Sequence, residues 1–415
     1  MLFTALSLIT LLWIIGVGLK PWRRVTTYAD AAAIHEARTS SDPGSDRPKV
    51  SVVSYVHRDA EALSDYLDLL LAQDYPDLEV VLVCDASAEA TAMISERFEN
   101  VENLHITFIP PGSHNLSRRK LAQTIGIKAA KGEIVLLTST SVIPVSTSWV
   151  SRMILPFTED SALAVVLGYV RVVPEDYNGS GKAYRRFDHI LDSVSWMDAA
   201  LDDDAFRGDG YNLAFRRRLF FENKGYAATI PLMDGDDDIF IRELSRFGRV
   251  RLQLAPSAVV DSRWGDQTDR QHLDIKDRRM FTRHYLPRRP FVRQGMMSCA
   301  QWTLLLTALL GIASGLAGWL LRPEVILIPG MSRSLPEIIL MPGMWQGICI
   351  ASAALIALFA GWICEGRTYR RLADALGSMR LMFRVPLFLL WRPLGNALFT
   401  INHRTGRKAH FTWQR

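Results

Sequence analysis

The sequence predicts an α/β domain set between membrane-spanning helices, and three observations carry that reading. Uncharged apolar runs of span length sit at residues 2–19, 298–321 and 346–364. From 49 to 138, short β-branched runs alternate with stretches whose apolar residues recur at helical spacing. Residues rich in Ser, Asp, Pro and Gly separate the first run from these elements.

At 415 residues the chain has room for two or three domains, taking about 100–200 residues for each. A composition 49% hydrophobic and 22% charged excludes disordered, collagen-like and disulfide-scaffold chains. Cys84, Cys299, Cys349 and Cys364 form no C-x-x-C pair and are too few for a disulfide framework. A net charge of +5 is weak for a nucleic-acid binder, so no nucleic-acid partner is expected. The mean hydropathy of +0.08 is raised by the three apolar runs.

The first run, with residues 1–20 as anchor, is followed and not preceded by positive charge at Lys20, Arg23 and Arg24. That suits a retained anchor better than a cleaved signal peptide. The loop 322–345 holds two basic and two acidic residues, whereas 365–415 holds ten basic and two acidic. The positive-inside rule then places 20–297 and 365–415 in the cytoplasm of a multi-pass inner-membrane protein. Segment 381–400 carries Arg384 and Arg392 and is bent by Pro386 and Pro393. Mid-span charge is costly, so an interfacial or re-entrant helix is expected there.

Residues 21–48 are expected as a linker and 49–290 as the soluble domain. Within it, 49–56, 78–85, 104–109 and 133–138 read as strands. Residues 59–73 read as a helix from Leu63, Tyr66, Leu67, Leu70 and Leu71, with further helices at 86–98 and 116–130. Alternation implies a largely parallel sheet whose ligands lie at the strands' carboxyl ends. That directs attention to His57, Asp85 and the residues after Thr138. No P-loop, G-x-G-x-x-G, H-E-x-x-H or G-x-S-x-G is present.

Four ordered blocks resemble membrane-bound family 2 glycosyltransferases of GT-A fold, whose core is a Rossmann-like mixed sheet that binds a nucleotide-diphospho-sugar. They are SVVSYVHRDAEALSDYLDLLLAQDYPDLEVVLVCDAS at 51–87, RRKLAQTIGIKAAKGEIVLLTSTSVIP at 118–144, GYNLAFRRRLFFENKGY at 210–226 and GDDDIFIREL at 235–244. The resemblance implies transfer of a sugar, with inversion, from a nucleotide sugar to a lipid-linked or polysaccharide acceptor at the cytoplasmic face. The bilayer and other polysaccharide-synthesis subunits are the further partners it suggests. Three spans give little wall for a channel, which favours single transfer over processive secretion.

Roles follow residue by residue from the resemblance. His57, Asp85 and Lys120 would face the nucleotide or its diphosphate; for Asp85, capping of the next helix is the alternative. Asp237 would be the catalytic base with Asp236 its neighbour, and Asn212 and Asp238 would lie on the acceptor side. Adjacent carboxylates can raise one pKa toward a usable base, yet the same acids suit a helix N-terminus. Asn212 equally reads as a turn residue, with Leu213, Phe215 and Leu219 as core. Asp202, Asp203 and Asp204 read as a solvated loop. Gln271, Arg278 and Arg279 are candidates to hold the leaving diphosphate, or belong to a juxtamembrane basic cluster on anionic lipid.

One block departs from the family. Ser139, Thr140 and Ser141 stand where Asp-x-Asp would bind Mg²⁺ or Mn²⁺, and hydroxyls are weak ligands for hard cations. Three outcomes stay open: Lys or Arg replaces the metal, other carboxylates such as Asp85 recruit it, or catalysis is lost and the chain is a scaffold or regulatory subunit.

Overall fold

The apolar β-branched runs become the centre of one sheet because their side chains are buried on both faces. In a computed structural model of the chain, residues 1–39, 47–57, 63–85, 95–96, 98, 101–109, 117–173, 180–230, 232–262, 268–320 and 342–403 are described. Strands β1 (Val50–His57), β2 (Leu78–Asp85), β3 (Leu104–Phe108) and β4 (Ile134–Ser139) match the expected runs closely. Val50, Val52, Val53 and Val56 of β1 and all six residues of β4 are buried, as strands covered on both faces require.

Beyond β4 the chain adds β5 (Val142–Pro144), β6 (Leu163–Leu167), β7 (Val170–Arg171), β8 (Leu213–Arg216), β9 (Arg249–Leu252) and β10 (Val260–Ser262). The main sheet runs β3-β2-β1-β4-β8-β6-β9 and a small one runs β5-β10-β7. The first four strands are parallel, while β8 runs antiparallel to both β4 and β6. This mixed sheet agrees with the GT-A fold that the resemblance implied. A purely alternating continuation does not hold, because β8 returns from the side where β4 ends.

Helices α1 (Leu2–Trp13) and α2 (Lys20–Arg38) are joined by a π-helical turn at Ile14–Gly18. Then come α3 (Leu63–Leu71), α4 (Arg118–Ala129), α5 (Trp149–Glu159), α6 (Ser180–Ala200), α7 (Arg217–Glu222), α8 (Ile239–Leu244) and α9 (Thr268–Thr282). Last are α10 (Arg288–Leu320), α11 (Pro342–Ala375) and α12 (Val385–His403). The expected helix at 86–98 lies outside the described residues except at 95–96 and 98.

Residues 21–38, expected as part of the linker, lie in the helix Lys20–Arg38. Trp22, Val25 and Ala29 recur at helical spacing and are buried. Arg24 pairs with Asp198 at 2.9 Å and Asp202 at 2.6 Å, and the Tyr28 hydroxyl donates to the Leu252 carbonyl at 2.8 Å. The basic tail is likewise helical through Ala375 and again over α12, with Pro393 inside the latter.

The chain divides into two compact units. One holds Met1–Arg23, Phe291–Arg371 and Arg380–Leu398; the other holds Arg24–Pro290, Leu372–Met379 and Phe399–Arg415. Among the described residues, the helices Leu2–Arg38, Arg288–Trp319 and Trp345–Ala375 are long and apolar enough to cross a membrane. Within the first unit, Ser7 Oγ donates to Thr307 Oγ1 at 2.9 Å. A Cβ on Gly315 would lie 2.5 Å from the Gly347 carbonyl oxygen, so the absent side chain lets the helices close up.

In the second unit, α4 packs on the sheet through Gly126, where a Cβ would sit 2.4 Å from Val53 Cγ1 and 2.9 Å from Val83 Cγ2. Gly126→Ala is expected to cost about 1–3 kcal/mol by overpacking, seen as a lowered unfolding midpoint of the detergent-solubilised chain.

Candidate active site

Arg118 and Arg119, adjacent at the start of α4, link Asp85 at the carboxyl end of β2 to the loop before α8, which one face of α9 also meets. At the end of β2, Asp85 accepts hydrogen bonds from the Tyr55 hydroxyl at 2.8 Å and from Arg118 Nε at 2.6 Å, and Arg118 Nη2 reaches its other oxygen. Burial, and then the bond to Asp85, pushes the Tyr55 hydroxyl well up. Asp85 is therefore neutralised by a two-pronged guanidinium contact. His57 is its backbone partner in the β1–β2 register; the side chains of His57 and Gln271 lie outside the described ones.

At the end of β4, Ser139 is buried and its Oγ accepts from the Ser141 N–H at 3.2 Å. Ser139 and Ser141 are thus adjacent in space. Hydroxyl oxygens, one of them already accepting a hydrogen bond, are weaker ligands for a hard divalent cation than carboxylates. Among the described residues, no group of three or more His, Cys, Asp or Glu is arranged to hold a metal ion.

The charge is concentrated in the loop Asp234–Asp238. Gly235 adopts φ +112°, a turn that a side chain would strain. Arg119 Nε from α4 lies 2.7 Å from Asp236 Oδ2. Arg278 from α9 reaches Asp234 at 3.2 Å, Asp236 at 3.4 Å and Asp237 at 2.9 Å. Arg207 lies 3.5 Å from Asp238, while Arg279 pairs with Asp192 at 3.2 Å and Asp209 at 3.5 Å. The Arg119 guanidinium also stacks over the Tyr211 ring, 4.4 Å from its centroid.

Exposure separates the three adjacent acids. The side chain of Asp237 is 27% exposed, against 2% for Asp236 and 2% for Asp238. Burial pushes the Asp237 carboxyl up, but Arg278, Arg119, Arg279 and Arg207 together outweigh it and hold the group below the usual carboxylate range. Burial, and then the neighbouring Asp237, raises Asp238 to about 6. Asp238 accepts from the Ile239 N–H at 2.7 Å as the N-cap of α8, and Thr282 Oγ1 donates to it. Asp237 lines a cavity of about 30 Å³ with Asp209, Gly210, Tyr211, Arg278 and Arg279, space for about one water. The acid–arginine contacts themselves fill the cleft.

Three expected ligand positions have structural duties. Lys120, expected at the diphosphate, is buried and its Nζ donates to the carbonyls of Thr229, Leu232 and Asp234 at 2.7, 3.0 and 2.8 Å. It holds the loop that carries the acids. Asn212, expected on the acceptor side, is fully buried: it accepts from Trp149 Nε1 at 3.1 Å and donates to the carbonyls of Tyr169 at 3.1 Å and Ala258 at 2.9 Å. It ties β8 to the small sheet. Asp238, also expected there, is the helix cap.

Sequence reasoning missed Arg119, Arg207, Asp209, Tyr211 and Asp234. Arg119 lay within the quoted RRK block, and Asp209 stands between two glycines. Those were the available signals.

Residues 51–220 match the sequence model of the family described as Glycosyl transferase family 2. No curated protein matches the chain. Among solved structures, the mannosyltransferase PcManGT from Pyrobaculum calidifontis, in complex with GDP-Man and Mn²⁺, is similar at 18% identity. That match covers 95% of this chain and 99% of the other, with a TM-score of 0.49. S. aureus TarS residues 1–349 in complex with UDP-GlcNAc is similar at 14% identity over 86% of this chain and 92% of that one, with a TM-score of 0.40.

Two outcomes are expected. Lys120→Met removes three charge-assisted bonds and is expected to lower stability by on the order of 3 kcal/mol. Hydrogen exchange should rise selectively over residues 229–238. For Asp238, the raised folded value means the native state keeps a proton that the unfolded chain releases from its ordinary 3.8. Stability should therefore fall as pH rises from about 4 to 6. Denaturant titrations across that range should show the fall in the parent chain and its loss in Asp238→Asn.

Proposed function

We propose, from the match of residues 51–220 to the glycosyl transferase family 2 sequence model, an inverting transferase that moves a single sugar from a nucleotide sugar to a lipid-linked or polysaccharide acceptor at the cytoplasmic membrane face. The observation that carries the chemistry is Asp237. It is the accessible member of the acid cluster, and its guanidinium neighbours keep it ionised at neutral pH. A base must be ionised and within reach of the acceptor hydroxyl it deprotonates.

In the step proposed, Asp237 takes the proton of the acceptor hydroxyl as that oxygen attacks the anomeric carbon. The bond from carbon to the donor's diphosphate oxygen breaks on the opposite face, and its electron pair leaves with the diphosphate. One displacement inverts the anomeric centre. Asp236 is placed to fix the Asp237 backbone through its ion pair with Arg119. Asp85 joins the nucleotide side when a ribose or base edge exchanges for Arg118.

The membrane setting is supported by the three apolar helices and by the basic excess of 365–415, which favours a cytoplasmic location for the catalytic unit. The exposed stripe Leu387, Trp391, Leu394, Leu398 and Ile401 on α12 suits an interfacial helix beside Arg384.

The test is turnover of labelled nucleotide sugars by the full-length protein in lipid nanodiscs. Asp237→Asn should lower kcat by about 10²–10⁴-fold with little change in the donor's KM. Unchanged kcat would remove Asp237 from the proton transfer.

A further inference from the structure

The turn after β4 lacks carboxylates, yet a departing diphosphate needs positive charge beside it. Resting on the transferase reading above, we infer that the guanidiniums of Arg119 and Arg278 bind the donor's diphosphate in place of a divalent cation.

Four observations converge on this assignment. First, Ser139 and Ser141 supply only neutral oxygens, and the Ser139 hydroxyl is engaged by the Ser141 N–H. Second, Arg119 Nη1 and Nη2 are buried and make no hydrogen bond among the described residues. Asp237 Oδ2 stands 3.9 Å from Nη2, beyond hydrogen-bond reach. Buried donors of this kind are costly unless something accepts from them. Third, the position beside them is a glycine. A Cβ on Gly210 would lie 2.7 Å from Arg119 Nη2 and 2.8 Å from Asp237 Cβ, so the missing side chain keeps the guanidinium and the acid within reach of each other. Fourth, Arg278 divides its contacts among three acids, at 2.9–3.4 Å. Its hold on Asp237 is the contact an incoming anion would contest.

The chemistry is consistent with exchange. Guanidinium forks match phosphate oxygens in geometry as well as charge. A diphosphate that enters between Arg119 and Arg278 accepts from the Arg119 Nη donors and draws Arg278 away from Asp237. Donor binding would then also release the base. When the glycosidic bond breaks, the added negative charge on the diphosphate falls beside the two guanidiniums, and no proton is required there.

Calorimetric titration of the full-length protein in detergent tests this, with UDP and GDP each as probe, in EDTA and in Mn²⁺ or Mg²⁺. The expected result is that at least one nucleotide binds in EDTA with a Kd within threefold of its value with cation. Arg119→Ala should weaken that binding at least tenfold in EDTA. Arg119→Lys keeps the charge beside Asp236, so it tests the fork with the acid still neutralised, and should weaken binding at least threefold. Cation-dependent tightening above tenfold, or nucleotide affinity unaltered in both Arg119 variants, overturns the assignment and leaves the transferase reading standing. Binding of neither nucleotide under any condition overturns the assignment and the nucleotide-sugar reading together.

Discussion

Four carboxylates within five residues, Asp234 to Asp238, occupy one largely buried loop, and everything near the site is arranged around that fact. Like charges at such separation, taken from water, repel strongly and pay a desolvation cost. The loop is tenable because guanidiniums arrive from two distant elements, Arg119 from α4 and Arg278 from α9. Arg207 and the Asp238 cap complete the compensation. The packing of α9 against this loop is thus an electrostatic necessity as much as an apolar one. Its neighbouring Lys276 and Arg279 continue the pattern against Asp188 and Asp192 of α6. Lys120 adds a second restraint by fixing the main chain that delivers the acids.

The strands of the amino-terminal half were legible because the physics there is local. Val-rich runs buried on both faces announce themselves, and the bounds of β1, β2 and β4 fall within a residue or two of the pattern. The apolar spans were legible through length alone. The small sheet was not, since β7 has two residues and β5 and β10 three each, too short to show a period. The reversed direction of β8 leaves no local trace either. The helix α2 hid among charges: Trp22, Val25 and Ala29 mark its buried stripe, and its partners Asp198 and Leu252 lie far along the chain.

At the site, the acids were visible and their counterions were not. A run of aspartates in sequence is conspicuous, whereas the arginine that neutralises one of them is chosen by folding. Lys120 illustrates the converse error. A lysine in sequence declares a positive charge, but not whether that charge meets a diphosphate or the three main-chain carbonyls it meets here. Asn212 was noticed for its place in a motif block, and its duty is to join two sheets through hydrogen bonds with groups more than forty residues away.

The Thr140–Ser141 corner lies between β4, paired into the large sheet, and β5, paired with β10 in the small one. Main-chain ladders on either side therefore set its path. A bend defined by its flanks asks little of its own side chains, so hydroxyl-bearing residues suffice at this corner. Architecture and ion preference are in that sense separable properties of the domain: the ladders that fix the path of this corner place no demand on whether its side chains can hold a cation.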